Sequence, residues 1–113
     1  MDAHTLAQRQ LDAYNAHDIE AFLDCYAEDV VIRDLVTGDV RMEGRAAMRA
    51  RYGRMFAEGT VHAELVGRLV VGDVAVDQER VTGHPSGRQV QALAHYAVAD
   101  GLIQQVWFHT VVT

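Results

Sequence analysis

Apolar positions along the chain change period once. In the first half they recur every three or four residues: Ala3, Ala7, Leu11 and Tyr14 on one stripe, then Ile19, Phe22, Leu23 and Tyr26, then Met48, Tyr52, Met55 and Phe56. That spacing predicts three amphipathic helices. Asp2 and Asp18 stand where N-caps belong, so the first helix runs from about Asp2 to Ala16 and the second follows Asp18, while Gly44 precedes the third. Between the second and third, Val30-Val31-Ile32-Arg33-Asp34 reads as a short strand. From residue 60 the period becomes two, with strands at about 60–71, 74–82, 88–98 and 102–112. Gly72-Asp73, Gly83-His84-Pro85-Ser86-Gly87 and Asp100-Gly101 punctuate them. Helices followed by a meander predict an α+β domain in which helices cover one face of a curved antiparallel sheet.

The turns extend this to individual faces. A two-residue Gly72-Asp73 loop pairs Val71 with Val74, and an unbroken ladder then pairs Leu69 with Val76, Gly67 with Gln78, Leu65 with Arg80 and Ala63 with Thr82. The face carrying Val61, Ala63, Leu65, Leu69 and Val71 is apolar and is expected to face inward, taking Gln78 and Arg80 with it. His62, Glu64, Arg68, Asp77 and Glu79 fall on the outer face, with Arg68 opposite Asp77 as a surface pair. In the next strand Val90, Ala92, Ala94, Tyr96 and Val98 form the inner face. The last strand has two registers. A two-residue Asp100-Gly101 loop turns Trp107 and His109 inward, and a three-residue loop with a bulge at Gly101 turns in Val106 and Phe108.

Composition narrows the function. The 113 residues form one domain, 1–113, with a single Pro and no linker or low-complexity tract. A net charge of −6 without blocks of like charge argues against a nucleic-acid partner. The run Arg45, Arg49, Arg51 and Arg54 reads as a solvated helix face. No apolar run approaches the roughly 20 residues that span a bilayer, and MDAHTLAQRQ lacks the basic and apolar regions of a secretory signal. The expectation is a cytoplasmic protein with no membrane partner. The lone Cys25 is expected to be a small buried hydrophobe.

Candidate chemistry is sparse. Asp34 shares a strand face with Val30 and Ile32, so it is aimed at the interior, where apolar surroundings raise a carboxyl pKa and make a proton-transferring base. Exposure in a turn at the strand end is the alternative. Gln78 and Arg80 form a polar ledge on the inner face, Arg80 being able to clamp a carboxylate, stabilise an enolate or pair with Asp34. Tyr14, Tyr52 and Tyr96, with Gln10, complete the inventory. The six histidines show no close ligand spacing. His62, His95 and His109 share the outer sheet face as interface residues, a zinc site being the alternative there. That face also collects Val66, Val81, Leu93 and, in one register, Trp107, which predicts a homodimer through the sheet.

The chain resembles the nuclear transport factor 2-like superfamily, in its SnoaL-like and ketosteroid-isomerase-like branch. The residues that carry the likeness are Asn15-Ala16-His17-Asp18, Phe22, Tyr26-Ala27-Glu28-Asp29-Val30, Gly44, Tyr52 and Asp100-Gly101-Leu102-Ile103, spread over essentially the whole length. The resemblance implies a conical half-barrel, with three helices from the N-terminal part packed on the concave face around a deep apolar pocket, and dimers joined through the sheet. In ketosteroid isomerases an Asp base works with a Tyr and a protonated Asp as oxyanion donors. Aligned here, the base falls on Asp34, the Tyr on Gln10 and the protonated Asp on Ala94. Both donors are absent, which argues against steroid isomerisation by that route. The alignment also puts Val106 and Phe108 in the pocket. The expected function is acid–base chemistry by Asp34 on a small apolar or weakly anionic molecule, needing no cofactor and no metal, with Tyr14, Tyr52, Gln78, Arg80, Tyr96 and Phe108 binding the substrate. The alternatives are a non-catalytic ligand-binding domain and a dimeric assembly domain.

Overall fold

A computed structural model describes residues 1–113. The elements are α1 (Ala3–Asn15), α2 (Ile19–Leu23), β1 (Tyr26–Asp34), β2 (Val40–Glu43), α3 (Gly44–Glu58), β3 (His62–Val71), β4 (Val74–Thr82), β5 (Val90–Ala99) and β6 (Leu102–Val112). Both aspartate caps form. Asp2 accepts from the Thr5 N–H at 2.8 Å and Asp18 from the Ala21 N–H at 3.1 Å. α2 is shorter than the Ile19–Tyr26 stripe implies, because the Cys25 carbonyl accepts from Ile103 N–H at 2.9 Å and Tyr26 pairs with Ile103 in the sheet. Strand pairing captures the chain where helical periodicity alone would extend the helix.

The six strands form one sheet in the order β2-β1-β6-β5-β4-β3. It is mixed rather than wholly antiparallel, since β1 runs parallel to β6. The antiparallel expectation came from the C-terminal meander, which does hold, whereas β1 precedes α3 and reaches β6 by a crossover. The sheet curves around the helices, an α+β fold of the cystatin and nuclear transport factor 2-like type. No helix is long and apolar enough to cross a membrane.

Two bulges decide which side chains face inward. Val66 is an extra residue in β3, between the Leu65–Glu79 and Gly67–Gln78 pairs. It lets Ala63 and Arg68, of opposite parity, both turn to the helix side, while Leu69 and Val71 stay 73% and 81% exposed on the outer face. In β6, Asp100 and Gly101 close a two-residue turn with φ of 55° and 73°, and Gln104 is then extra between the Val98–Ile103 and Ala97–Gln105 pairs. The short loop therefore coexists with the inward set expected of the longer one: Val106 is fully buried and Phe108 faces Ala94.

Helices and sheet are joined by apolar burial and by one side chain acting as backbone. Tyr14, Phe22, Tyr52 and Phe56 form an aromatic cluster across the three helices, with Phe22 and Tyr52 centroids 5.0 Å apart and Tyr14 and Phe56 5.4 Å apart. At the end of α1 the Asn15 amide donates to the Ala63 carbonyl at 3.0 Å and accepts from its N–H at 2.8 Å, as a neighbouring strand would. His17, in the left-handed region at φ 56°, places its Nε2 2.6 Å from the Val61 carbonyl.

The end of the β3–β4 hairpin beside these contacts carries Gly83, whose φ is +68° and whose missing Cβ would lie 1.9 Å from the Thr60 carbonyl oxygen. Gly59 has a similar φ of +69° with nothing within 4 Å. Gly59→Ala is therefore expected to cost only the left-handed strain of roughly 1–2 kcal/mol. Gly83→Ala should cost at least about 3 kcal/mol, because the β3 and β4 ends must also separate. Urea denaturation of the two variants measures the difference, and equal losses would show that the close approach is not present.

Candidate functional site

The inner face of β4 is acidic. β4 and β5 pair without interruption, Ala75 with Tyr96, Asp77 with Ala94, Glu79 with Ala92 and Val81 with Val90. Because Ala92, Ala94 and Tyr96 are buried against the helices, parity carries Ala75, Asp77 and Glu79 in with them. Each carboxylate faces an alanine, which leaves it room. Asp77 is completely buried and Glu79 is 7% exposed.

One guanidinium accompanies these two carboxyl groups. Arg68 grips Asp77 in a fork, Nε to Oδ1 at 2.6 Å and Nη2 to Oδ2 at 3.0 Å, and its Nη1 donates to Gln8 Oε1 on α1 at 2.9 Å. The pair is buried, with side-chain exposures of 8% and 0%. Glu79 has no hydrogen-bond partner in the protein, yet no buried polar atom is sealed off without one, so its oxygens remain reachable from the cavity. Burial raises its pKa to about 7, the negative charge of Asp77 adds to the rise, and Arg68 opposes it. At neutral pH both the ionised and the neutral form of Glu79 are populated.

It lines a cavity of about 530 Å³, within the range of small-molecule sites. Tyr14, Phe22, Tyr26, Tyr52, Tyr96 and Phe108 supply an aromatic wall. Tyr26 donates to Gln10 Oε1 at 3.2 Å and the Gln10 amide donates to the Ala7 carbonyl at 3.0 Å, so Gln10 orients Tyr26. The hydroxyls of Tyr14, Tyr52 and Tyr96 make no protein hydrogen bond and stay reachable from the cavity. Burial raises the pKa of all four phenols, which keeps them protonated as donors.

Of the residues expected at the site, Tyr14, Tyr52, Tyr96 and Phe108 line this cavity. Gln78 and Arg80 do not. Both are exposed on the outer face, where Arg80 meets Glu64 at 3.5 Å. Arg68, Asp77 and Glu79, expected outside, are inside, and Val81 lines the cavity rather than the outer patch. β4 offers Val74 and Val76 on one face and Ala75 and Val81 on the other, so its own alternation does not choose between them. The usable signal was in β5, where Ala92, Ala94 and Tyr96 fix the parity of the strand beside them.

Asp34 is also displaced from its expected role. The strand ends there, and Asp34 Oδ1 accepts from the Val36 and Thr37 N–H groups at 2.9 and 3.0 Å while Oδ2 pairs with Arg41 at 2.5 Å. The Thr37 N–H, Arg41 and the Val36 N–H hold its pKa down at about 2. A carboxylate so stabilised is a poor base. It caps the β1–β2 turn and positions Arg41.

A family model described as the SnoaL-like domain matches residues 7–106. Among curated proteins none matches the chain in sequence. Among solved structures, an uncharacterized cystatin-fold protein from Novosphingobium aromaticivorans is 25% identical, with a TM-score of 0.86 over 96% of this chain and 98% of that one. A protein provisionally described as a ketosteroid isomerase, from Kribbella flavida, is 21% identical, with a TM-score of 0.79 over 95% and 76% of the two chains. One provisionally described as a polyketide cyclase, from Sinorhizobium meliloti, is 23% identical, with a TM-score of 0.76 over 93% and 94%. The last two likenesses concern the fold.

The raised pKa of Glu79 ties stability to pH. Its folded value of about 7 exceeds the ordinary 4.5, so the folded state holds the proton more tightly. Its contribution is fully present below pH 4.5 and is lost as pH rises through 7. Glu79→Gln removes that loss. The variant should match the unmodified protein near pH 4.5 and exceed it by up to about 3 kcal/mol at pH 8. Guanidinium denaturation at the two pH values decides this, and a pH-independent difference would place Glu79 in solvent.

Proposed function

The chain belongs to the SnoaL-like domain family, and from that premise we propose that it is a small-molecule enzyme in which Glu79 carries a proton to and from a carbon beside a carbonyl. The observation that supports this is the unpartnered Glu79 carboxyl, with a pKa near 7, inside an aromatic cavity. A group that titrates at the working pH is effective both as base and as acid. Ionised Glu79 takes the proton. The C–H electron pair becomes a C=C bond and the carbonyl π pair moves to oxygen, where a tyrosine hydroxyl donates a hydrogen bond to the enolate. The neutral Glu79 then returns the proton to the same carbon or to a conjugated one, so the second outcome is an isomerisation. This route does not use Asp34, nor donors at the Gln10 and Ala94 positions. Two proteins that share the fold are provisionally described as a ketosteroid isomerase and a polyketide cyclase, which supports an enzyme reading for this scaffold.

A non-catalytic binding domain is the second reading, favoured by the absence of any hydrogen bond that would orient Glu79 for reaction. Deuterium exchange separates the two. Cyclohexanone and tetralone incubated with the protein in heavy water should lose α-proton NMR signal at least about a hundredfold faster than with Glu79→Gln. The rate should rise with pH to a plateau above about 7, following the ionised form. Exchange no faster than with the variant would leave the binding reading.

The outer sheet face supports a homodimer. The cross-strand rows Leu69–Val76–His95–Trp107 and Gly67–Gln78–Leu93–His109 lie on it, and Leu69 and Leu93 are exposed. Such an apolar surface is better covered than left in water. Trp107→Glu should convert a dimer to monomer at micromolar concentration in sedimentation, and a monomeric unmodified protein would end the proposal.

A further inference from the structure

Charge is segregated by depth in the cavity. Glu79 is the sole acid among the lining residues and is buried. Arg41, Arg51 and Arg88 also line the cavity but are exposed, so they stand at its opening, together with the half-buried His84. They arrive from separate parts of the fold: Arg41 from β2, Arg51 from α3, and His84 and Arg88 from the β4–β5 loop. Arg41 is held by Asp34, whereas Arg51 and Arg88 form no ion pair. His84 Nδ1 accepts from the Ser86 N–H at 3.1 Å, which leaves the ring proton on Nε2 as a spare donor.

Gathering cations in a chain of net charge −6 is electrostatically unfavourable among the cations themselves and favourable toward an incoming anion. Guanidinium groups present forked donors that match the oxygens of carboxylates, phosphates and sulfonates. Below the rim, the half-buried Met42, Met55 and Val90 add apolar wall. The depth of the cavity repels an anion, since Asp77 is ionised against Arg68 there and Glu79 is partly so. We propose that the ligand is an amphiphilic anion whose oxyanion head rests at the mouth between Arg51 and Arg88, with its apolar body directed toward Glu79. This rests on the reading of the cavity as a small-molecule site, and it adds the ligand's charge and orientation.

A matched pair of fluorescent probes tests it: anilinonaphthalene sulfonate and its uncharged parent, phenylnaphthylamine. At low ionic strength the sulfonate should bind at least about tenfold more tightly, and about 0.5 M salt should shrink that preference, as the exposed rim is screened. In the double variant Arg51→Gln/Arg88→Gln the preference should vanish, and affinity for the uncharged probe reports any damage to the cavity itself. Equal affinity of the unmodified protein for the two probes, or a preference that survives in the double variant, overturns the anion inference while the cavity reading stands. Failure of both probes to bind overturns the anion inference and the cavity reading together.

Discussion

Two carboxyl groups lie side by side on the inner face of β4, and one guanidinium is available to them. Asp77 takes the fork of Arg68 and is charged. Glu79, two residues on, feels the same burial and its neighbour's negative charge without a partner of its own. A low-dielectric interior does not tolerate two adjacent uncompensated anions, so the unpartnered one holds its proton more tightly. The midpoint near neutrality follows from burial first and from the neighbouring charge of Asp77 second, with no cation close enough to cancel them.

The arrangement depends on backbone irregularity. Without the extra residue Val66, β3 would present a single parity to the helices, and Arg68 and Ala63 could not both face inward. The extra Gln104 does the same for β6, keeping Ile103 and Val106 both in the core. Asn15 then bridges the end of α1 to Ala63 through both of its amide atoms, and Gln8 on the same helix accepts from Arg68. α1 is thereby registered against β3 at two places, and the cavity lies beyond its Tyr14 and Gln10.

Opposite the acidic floor, the turn capped by Asp34 sets Arg41 at the cavity opening. A carboxylate that binds two N–H groups and a guanidinium is fully committed to structure. The strand-end aspartate and the strand-centre glutamate illustrate a general division. The same functional group becomes a structural anion where donors converge on it and a titrating group where they do not.

The sequence by itself determined the helices' caps, the apolar stripes, the C-terminal meander and the α+β architecture, because these depend on short-range periodicity and on turn residues such as Gly72-Asp73 and Asp100-Gly101. Tyr14, Tyr52 and Tyr96 were legible as interior residues for the same reason: large side chains at apolar positions are buried in any reasonable packing. Phe108 was placed inside only by the family resemblance, because the Asp100-Gly101 turn left two registers of the last strand open. The faces of β4 and the fate of Asp34 were not legible. A strand's inward face is set by the neighbours it pairs with, and one bulge in β3, invisible in composition, changes the parity of half a strand. Only the tertiary structure could bring Arg68 to Asp77, leave Glu79 without a partner, and bind Asp34 to its own turn, because each outcome depends on which donors from distant segments reach a carboxyl group.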